Sequence, residues 1–321
     1  MSKIIGKGTY GCVYKPPPKC KNIEDCPPSK EKCVKGVSKL TFKDAANEEV
    51  KHVLIIDKID PNQIYHIGDP VVCDPEKSFD TNDCSSVKGE KDLKFLVYDD
   101  GGTPFNEFIY SDNLDVVKFI KGFENIFFAI KEMSKHGFVH ADIKGPNIMV
   151  DEKYNFKLID FGMSWNNVPI INIDYVFWPP EYVLLGSQKY FDDEDIKIEQ
   201  LEDYRSSIPR YEFVKMLGKD VSDKFWEKFK HTSGEETFRI IKSKVDLYSL
   251  GIYIKKYIRF IFIKNIKLGS FLKSIPMEEL VDQMIDEDFY ERLTPQQAYN
   301  IYLEISKEYI EQLKLKIKHY Y

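Results

Sequence analysis

The chain has no long apolar run that could cross a membrane. Its most hydrophobic stretch, residues 247–272, is interrupted by Lys255, Lys256, Arg259, Lys264 and Lys267. A membrane-spanning helix needs about 20 consecutive and predominantly apolar residues, so this stretch predicts buried and amphipathic helices. The first five residues run directly into a glycine-rich segment and show no secretory signal, and residue 2 is serine, which excludes N-myristoylation. We expect no membrane association.

An excess of positive charge is also absent. The sequence holds 46 lysines and arginines against 52 acidic residues, which gives a net charge of −6. Nucleic-acid-binding domains usually carry a basic patch or stripe, so we expect no nucleic-acid partner. The composition, 43% hydrophobic and 31% charged, is that of a folded globular protein. A chain of 321 residues can bury a large core as one two-lobed unit or two small domains.

Closely spaced cysteine pairs of the zinc-binding kind are missing. Cys20, Cys26 and Cys33 are separated by five and six intervening residues, whereas structural zinc sites typically place two to four residues between paired ligands. We therefore expect no zinc site. Without an export signal, the six cysteines are expected to be reduced thiols in the cytoplasm.

The most informative pattern that is present lies between residues 140 and 162. The run H-A-D-I-K-G-P-N ends at Asn147, and the tripeptide D-F-G begins thirteen residues later at Asp160. Asp142, Lys144, Asn147 and Asp160 bring together two carboxylates, an ammonium and an amide. Carboxylate and amide oxygens suit Mg²⁺, and phosphoryl transfer depends mainly on positioning and charge neutralisation. The pattern predicts a site that holds a metal–triphosphate complex against a hydroxyl group.

A second pattern is the glycine-rich segment G-K-G-T-Y-G-C-V of residues 6–13. Glycines let a backbone approach phosphate groups closely, where a side chain would collide. The segment leads into a strand-like run and not into a helix, which disfavours a dinucleotide-binding fold and favours a hairpin that covers ATP. The predicted nucleotide contacts in this hairpin are Ile5, Gly6, Lys7, Gly8, Thr9, Tyr10, Gly11, Cys12 and Val13.

These two segments resemble the glycine loop, catalytic loop and magnesium loop of eukaryotic-type protein kinases of the serine/threonine class. Three further features extend the resemblance to about residues 4–305. Trp178-Pro179-Pro180-Glu181 is similar to the A-P-E segment, and Asp246 occupies the place of the aspartate that anchors the catalytic loop. Arg292 corresponds to the arginine that pairs with Glu181, which predicts a buried ion pair. Small-molecule kinases generally lack these three features.

The resemblance implies an α+β, bilobal protein-kinase-like fold. Residues 1–102 would form an N-lobe with a small antiparallel sheet and one helix, and residues 103–321 would form a larger, mainly helical C-lobe. Two insertions interrupt the pattern, a Cys/Pro-rich loop at 15–35 and a longer segment at about 187–243. Residues 192–203 in the second insertion hold seven acids against one lysine. This run is either a solvated, partly helical face or a docking element for a partner.

The resemblance also implies roles for individual residues. Asp142 would orient the substrate hydroxyl and accept its proton, and Lys144 would neutralise charge on the γ-phosphate. Asn147 and Asp160 would bind Mg²⁺, with Mn²⁺ as an alternative ion, and ATP would be the phosphoryl donor. His140 would brace the catalytic loop.

One lysine on a strand should contact the α- and β-phosphates and pair with a glutamate on the following helix. Lys39, in V-S-K, is the better match and Lys35 is its rival. The partner is Glu49 or Glu48, and Glu49 is favoured because it places the apolar Val53 one turn further along the buried face. The nucleotide-contacting set is completed by Asp99 and Met149.

The sequence departs from the family at two places that bear on regulation. Ala141 stands where most regulated kinases carry an arginine, and the segment from Asp160 to Glu181 contains only two hydroxyl side chains, Ser164 and Tyr175. We expect that activation does not require phosphorylation of this segment.

The function predicted from the sequence is an ATP-dependent serine/threonine protein kinase with protein substrates. The alternative is a pseudokinase scaffold that binds nucleotide or partners without turnover. W-P-P-E, the long insertion and Y-S-L-G resemble kinases encoded by large DNA viruses, which would place the protein in the host cytoplasm or the virion. The sequence leaves the oligomeric state open.

Overall fold

A computed structural model describes residues 2–111, 114–167, 175–185, 208–264 and 266–318. The acidic run at 192–203 lies outside these ranges. The N-terminal part is a five-stranded antiparallel sheet in the order β1–β2–β3–β5–β4. Its strands are β1 (Lys3–Gly8), β2 (Gly11–Lys15), β3 (Val37–Phe42), β4 (Val71–Cys73) and β5 (Leu93–Tyr98).

The β1–β2 hairpin turns at Thr9 and Tyr10, the tip of the glycine-rich segment. Gly11 opens β2 opposite Gly8, and a Cβ atom there would lie 1.8 Å from the carbonyl oxygen of Leu40 on β3. Only glycine fits so close to a neighbouring backbone. The last glycine of the segment is therefore required by the sheet itself.

One helix, α2 (Lys43–Ile59), packs against this sheet; the short helix α1 (Lys32–Lys35) precedes β3. The buried side chains of α2 are Ala46, Glu49, Val53 and Ile56. Their spacing of three or four residues places them on one helical face. Burying the charged Glu49 among apolar residues requires a polar partner, which the candidate site supplies.

The C-terminal part is mainly helical. A three-stranded sheet of β6 (Thr103–Pro104), β7 (Ile148–Val150) and β8 (Phe156–Leu158) lies at its beginning. The helices are α3 (Phe105–Phe108), α4 (Val116–Lys135), α5 (Arg210–Leu217), α6 (Asp223–His231), α7 (Gly234–Lys264), α8 (Ile266–Leu272), α9 (Ile275–Met284) and α10 (Pro295–Lys318). This α+β arrangement, strands first and helices after, is the one that the sequence predicted.

The central helix of this part is α4. Its apolar residues recur at intervals of three or four, and these five are buried in the main hydrophobic core: Phe119, Phe123, Phe127, Ile130 and Met133. Phe138 and Ile143, from the segment that follows α4, are buried in the same core.

Two helices begin earlier than their hydrophobic pattern indicated. Helix α7 begins at Gly234, well before the apolar run that starts at Val245, because the hydroxyl of Ser233 accepts a hydrogen bond from the backbone nitrogen of Glu236 at 3.1 Å. Helix α10 begins at Pro295, where Thr294 and Gln297 cap each other reciprocally. Capping residues, and not the first apolar residues, set both starts. Across the described ranges, no helix combines the length and the apolarity needed to cross a bilayer.

The expectation of reduced thiols was wrong. All six cysteines are paired, as Cys12–Cys84, Cys20–Cys73 and Cys26–Cys33. Two of the pairs join positions 72 and 53 residues apart in the sequence, so local cysteine spacing carries no sign of them. The fold of the N-terminal sheet and its two flanking loops brings these partners together.

Candidate active site

The loop that follows α4 is anchored by hydrogen bonds to Asp246. The Asp246 carboxylate accepts hydrogen bonds from the backbone nitrogens of His140, at 2.8 Å, and Ala141, at 2.9 Å. Ala141 has a φ of 62°, an uncommon left-handed conformation for a residue with a side chain, and the bond to Asp246 helps to hold it. Burial raises the pKa of Asp246, although its two amide donors favour the charged form. The predicted anchoring of this loop by Asp246 is confirmed.

His140 links this loop to the D-F-G tripeptide. The backbone nitrogen of Asp142 donates to Nδ1 of His140 at 3.2 Å, so Nε2 carries the proton and donates to the carbonyl oxygen of Ile159 at 3.1 Å. The imidazole ring also contacts the ring of Phe161, with centroids 4.7 Å apart. The predicted bracing role of His140 is confirmed.

The Asp142 carboxylate is the centre of a hydrogen-bonded group. The ammonium of Lys144 lies 2.8 Å from Oδ1, and the Asn147 amide donates to Oδ2 at 2.6 Å and to the Asp142 carbonyl oxygen at 3.0 Å. The hydroxyl of Tyr175 donates to the same Oδ1 atom. Because the amide nitrogen of Asn147 donates both bonds to Asp142, its carbonyl oxygen faces away from Asp142.

A second group forms around Lys39 on β3. Its ammonium lies 2.6 Å from Oε2 of Glu49 and 2.7 Å from Oδ1 of Asp160. The rivals left open by the sequence are elsewhere: Lys35 is exposed and pairs with Glu31, and Glu48 is exposed and pairs with Lys51. The structure thus joins Lys39 and Glu49, while their contact with phosphates stays a prediction.

The charges of this second group support one another. Burial by itself would lower the pKa of Lys39, but Glu49 and Asp160 outweigh it and raise that pKa above its ordinary value. Burial also opposes ionisation of Asp160, yet the ammonium of Lys39 lowers the pKa of this carboxyl overall. For Glu49, burial dominates and raises the pKa despite Lys39. Lys39 and Asp160 are therefore charged at neutral pH.

Tyr98, the last residue of β5, was not predicted as part of the site. Its hydroxyl donates to Oε1 of Glu49 at 2.8 Å, so each oxygen of this buried carboxylate has its own donor. The only signal in the sequence was a tyrosine at the end of a strand that is apolar apart from Lys94. Val53, one turn after Glu49, is buried in the core cluster that contains Phe161, as expected for a glutamate at position 49.

The glycine hairpin leaves space where a ligand would approach. A Cβ atom at Gly6 would come no closer than 3.7 Å to the nearest protein atom, and one at Gly8 no closer than 3.8 Å. The protein itself therefore does not require glycine at either position, unlike Gly11. The hairpin is attached to the loop between β4 and β5. The hydroxyl of Ser86 donates to the Gly8 carbonyl oxygen at 2.6 Å, and Cys84 forms a disulfide with Cys12.

The remaining predicted nucleotide contacts flank the connection between the two parts of the chain. Asp99 is exposed and its carboxylate lies 3.2 Å from the ammonium of Lys32. Met149 lies on β7, and its side chain is close enough to Gly101 that a Cβ atom there would stand 3.0 Å away. Their part in binding a nucleotide stays a prediction.

The predicted ion pair between Glu181 and Arg292 is confirmed. The guanidinium donates to both carboxylate oxygens, with Nη2 3.3 Å from Oε2, and both side chains are at most 2% exposed. Trp178, in the same W-P-P-E segment, donates from its indole nitrogen to the carbonyl oxygen of Ala141 at 2.6 Å. This segment is thus tied to the loop of Asp142, a contact that the sequence did not reveal.

The donor set suits a divalent cation and a triphosphate. Asp160 keeps 39% of its side chain exposed while one oxygen contacts Lys39, and Asn147 offers an outward carbonyl oxygen. Carboxylate and amide oxygens are the ligands that Mg²⁺ prefers. The open Cβ positions at Gly6 and Gly8 leave room for phosphate groups beside backbone amides. The residues present therefore fit the metal and nucleotide that the sequence predicted.

Comparison with known proteins agrees with this geometry. The family model described as the protein kinase domain matches residues 1–302. Maternal embryonic leucine zipper kinase of Danio rerio is 37% identical over 68 residues, 21% of this chain and 10% of that protein. Carbon catabolite-derepressing protein kinase of Saccharomyces cerevisiae is 27% identical over 78 residues, which are 24% of this chain and 12% of that protein. Serine/threonine-protein kinase GIN4 of the same yeast is 35% identical over 69 residues, which are 22% of this chain and 6% of that protein. The matches thus cover between 6% and 12% of these relatives' lengths.

Proposed function

The chain belongs to the protein kinase domain family, and on that premise we propose that it transfers the γ-phosphate of ATP to serine and threonine hydroxyls of protein substrates. One observation carries the proposal most directly. Lys39 contacts both Glu49 and Asp160, while His140, beside Asp142, bonds to the carbonyl oxygen of Ile159 and contacts the ring of Phe161 in the same D-F-G tripeptide. The groups that would hold the nucleotide and the group that would hold the acceptor are thus assembled together.

The proposed roles follow from the chemistry of these groups. The Asp142 carboxylate orients the incoming hydroxyl and accepts its proton, which needs a well-placed acceptor more than a strong base. Lys144 neutralises negative charge on the γ-phosphate, and Lys39 contacts oxygens of the α- and β-phosphates. Bound Mg²⁺, with Asn147 and Asp160 as its protein ligands, supplies further charge neutralisation.

Preference for serine and threonine is supported by two features. Lys144 lies two residues after Asp142, as in the serine/threonine class that the sequence resembles. GIN4 is named a serine/threonine-protein kinase.

We also propose that the division near residue 102 separates an N-lobe from a helical C-lobe, and that the protein resembles kinases of large DNA viruses. Of the two locations predicted, cytoplasm and virion, the virion agrees better with three disulfides. Disulfides persist at virion and cell surfaces but are reduced in the cytosol.

Transfer of radiolabelled phosphate tests the proposal. Purified protein is incubated with labelled ATP, Mg²⁺ and generic protein substrates, beside Asp142→Asn and Asp282→Asn, a matched control at an exposed aspartate paired with Lys255. We expect label on serine and threonine with the wild type and Asp282→Asn but not with Asp142→Asn. Nucleotide binding without any transfer by the wild type would support a pseudokinase scaffold instead.

A further inference from the structure

Two residues one turn apart on helix α7 contact two neighbouring segments of the candidate active site. Asp246 accepts hydrogen bonds from the backbone nitrogens of His140 and Ala141, in the catalytic loop. Lys242, four residues earlier, donates from its ammonium to the carbonyl oxygen of Asn166, in the segment that follows the D-F-G tripeptide. Residues four apart on a helix lie on the same face. Helix α7 thus offers an acceptor to one segment and a donor to the other.

The two segments are also joined directly to each other. The backbone nitrogens of Val139 and Trp165 each donate to the carbonyl oxygen of the other residue at 2.9 Å. The hydroxyl of Ser164 donates to the carbonyl oxygen of His140 at 3.1 Å. The residues just after D-F-G therefore lie alongside those just before the catalytic carboxylate. A contact that fixes the first segment also bears on the position of the second.

The side chain of Lys242 is half-buried. Its ammonium stands 5.3 Å from the centre of the Trp165 ring and 5.9 Å from the centre of the Phe238 ring, within the range of cation–π interactions. A Cβ atom at Gly137, in the turn that ends α4, would lie 3.5 Å from this ammonium. Burial lowers the pKa of Lys242. Hydrogen bonds are stronger away from bulk water, so the bond to Asn166 is not that of a mobile surface lysine.

Neutralising an acid does not explain this lysine. Among the described residues, the partners of the Lys242 ammonium are a backbone carbonyl oxygen and two aromatic rings, and not a carboxylate. In this it differs from Lys39, whose ammonium contacts two carboxylates. The contacts of Lys242 are therefore those of a group that holds a backbone segment in place.

We propose that Lys242 is a positioning residue for phosphoryl transfer, which holds the segment after D-F-G against the catalytic loop. This inference rests on the proposed function. The bond to Asn166 keeps the segment beside the loop in which Asp142 would meet the acceptor hydroxyl. Small misplacements of reacting groups slow a reaction strongly, so loss of the bond should slow transfer. Nucleotide binding should change less, because Lys39 still contacts Asp160.

Single-turnover transfer tests this role with three variants of the whole protein. Lys242→Met keeps an apolar side chain against the two rings but removes the donor, and Lys242→Arg restores a charged donor. Lys219→Met is the matched control, because Lys219 is also partly buried and donates to a carbonyl oxygen, that of Glu287 at 2.9 Å. Rates are measured with saturating MgATP and a protein substrate, and the Kd for MgATP and the thermal unfolding midpoint are measured for each protein.

We expect the single-turnover rate of Lys242→Met to fall by about tenfold or more, since a hydrogen bond from a charged group is lost. The Kd for MgATP should stay unchanged, and Lys242→Arg should recover most of the rate. Hydrogen exchange in the peptide that contains Trp165 should be faster in Lys242→Met than in the wild type. Lys219→Met should transfer phosphate at the wild-type rate. If Lys242→Met does not fold, Lys242→Gln, with a shorter and uncharged side chain, takes its place with the same expectations.

The outcomes separate this inference from the proposed function. A wild-type rate in Lys242→Met, or a slow rate that Lys242→Arg does not raise, overturns the positioning role and leaves the proposed function standing. A fall in rate that weaker MgATP binding explains, or one that Lys219→Met shares, does the same. Absence of transfer by the wild type overturns both.

Discussion

At the scale of single residues, the site depends on buried carboxylates whose oxygens each have a donor. Asp142 is held by Lys144, Asn147 and Tyr175, and Glu49 by Lys39 and Tyr98. A buried charge left without a partner carries a large desolvation penalty. Each of these donors therefore contributes both to the stability of the fold and to the orientation of a catalytic group.

The Tyr98 hydroxyl provides the cleanest test at this scale. Tyr98→Phe removes one hydrogen bond to a buried carboxylate and should lower the free energy of unfolding by about 1.5–3 kcal/mol. Because Glu49 then orients Lys39 less firmly, the KM for ATP should rise several-fold. Urea denaturation and steady-state kinetics measure the two effects.

The matched control is Tyr65→Phe. Tyr65 is also buried, but its hydroxyl has no hydrogen-bond partner in the described part of the chain. Removal of this hydroxyl breaks no hydrogen bond, so Tyr65→Phe should leave the KM for ATP unchanged and should not lower the free energy of unfolding. Equal losses in the two variants would show that the bond between Tyr98 and Glu49 does not orient the site.

The site residues that the sequence revealed are those that stand in short motifs. Asp142, Lys144 and Asn147 lie within six residues of one another, so their joint chemistry is visible in one segment. Tyr98 and Tyr175 meet their partners across 49 and 33 residues. Contacts of this kind depend on how strands and loops pack, which no local spacing encodes. The contact of Tyr175 with Asp142 could therefore be found only from the structure.

At the scale of elements, the glycine hairpin is fastened to the loop between β4 and β5. The Cys12–Cys84 disulfide and the bond from Ser86 to the Gly8 carbonyl oxygen join the two. A disulfide stabilises mainly by restricting the unfolded chain, and more so for longer loops. The Cys12–Cys84 disulfide also attaches strand β2, which carries the end of the glycine-rich segment, to this loop. It therefore bears on nucleotide binding as well as on stability.

Removing this disulfide should affect both properties. The double variant Cys12→Ala with Cys84→Ala should lower the free energy of unfolding by about 2–4 kcal/mol and weaken ATP binding, because the hairpin loses its covalent attachment. Thermal unfolding and nucleotide titration measure these changes.

A second disulfide serves as the control for that experiment. Cys26, in the loop before α1, and Cys33, in α1, are only seven residues apart, and their bond includes no residue of the hairpin. Cys26→Ala with Cys33→Ala should cost less stability and leave ATP affinity unchanged. An ATP affinity that survives loss of the Cys12–Cys84 bond would contradict the attachment argument.

Element boundaries show the same division between local and non-local information. The strand at Leu93–Tyr98 and the helix ending at Ile59 follow their hydrophobic patterns closely. Helices α7 and α10 begin at polar caps several residues before those patterns start. The hydrophobic pattern indicates which face of a helix is buried, and the capping residues indicate where the helix begins.

At the scale of the whole molecule, the Glu181–Arg292 pair joins parts of the chain that are 111 residues apart. Arg292 also donates to the carbonyl oxygen of Asp286, and its guanidinium stands 4.6 Å from the centre of the Tyr248 ring. Breaking a buried pair leaves the other charge without a partner, which typically costs about 3–5 kcal/mol. The W-P-P-E segment is thereby tied to the helical part of the protein.

Glu181→Gln should therefore lower the free energy of unfolding by about 3–5 kcal/mol, as measured by urea denaturation. The control is Glu236→Gln, which breaks the pair with Arg239 on an exposed face. Exposed pairs contribute about 0–1 kcal/mol, so this variant should unfold almost like the wild type. Similar losses in both variants would contradict a structural role for the buried pair.

The α+β order and the family could be predicted because strand-like segments precede the helical ones along the sequence and the motifs stand in short segments. The three disulfides could not, since they depend on the folded N-terminal sheet.

The most direct test of the central claim compares phosphoryl transfer and nucleotide affinity in wild type and Asp142→Asn. The claim is that Asp142 acts on the acceptor hydroxyl and not on the nucleotide. A single-turnover rate that falls by about 10²–10⁴-fold while the Kd for MgATP stays within about twofold is the result we predict. Undiminished transfer by Asp142→Asn, or loss of transfer explained wholly by lost nucleotide binding, would contradict the account.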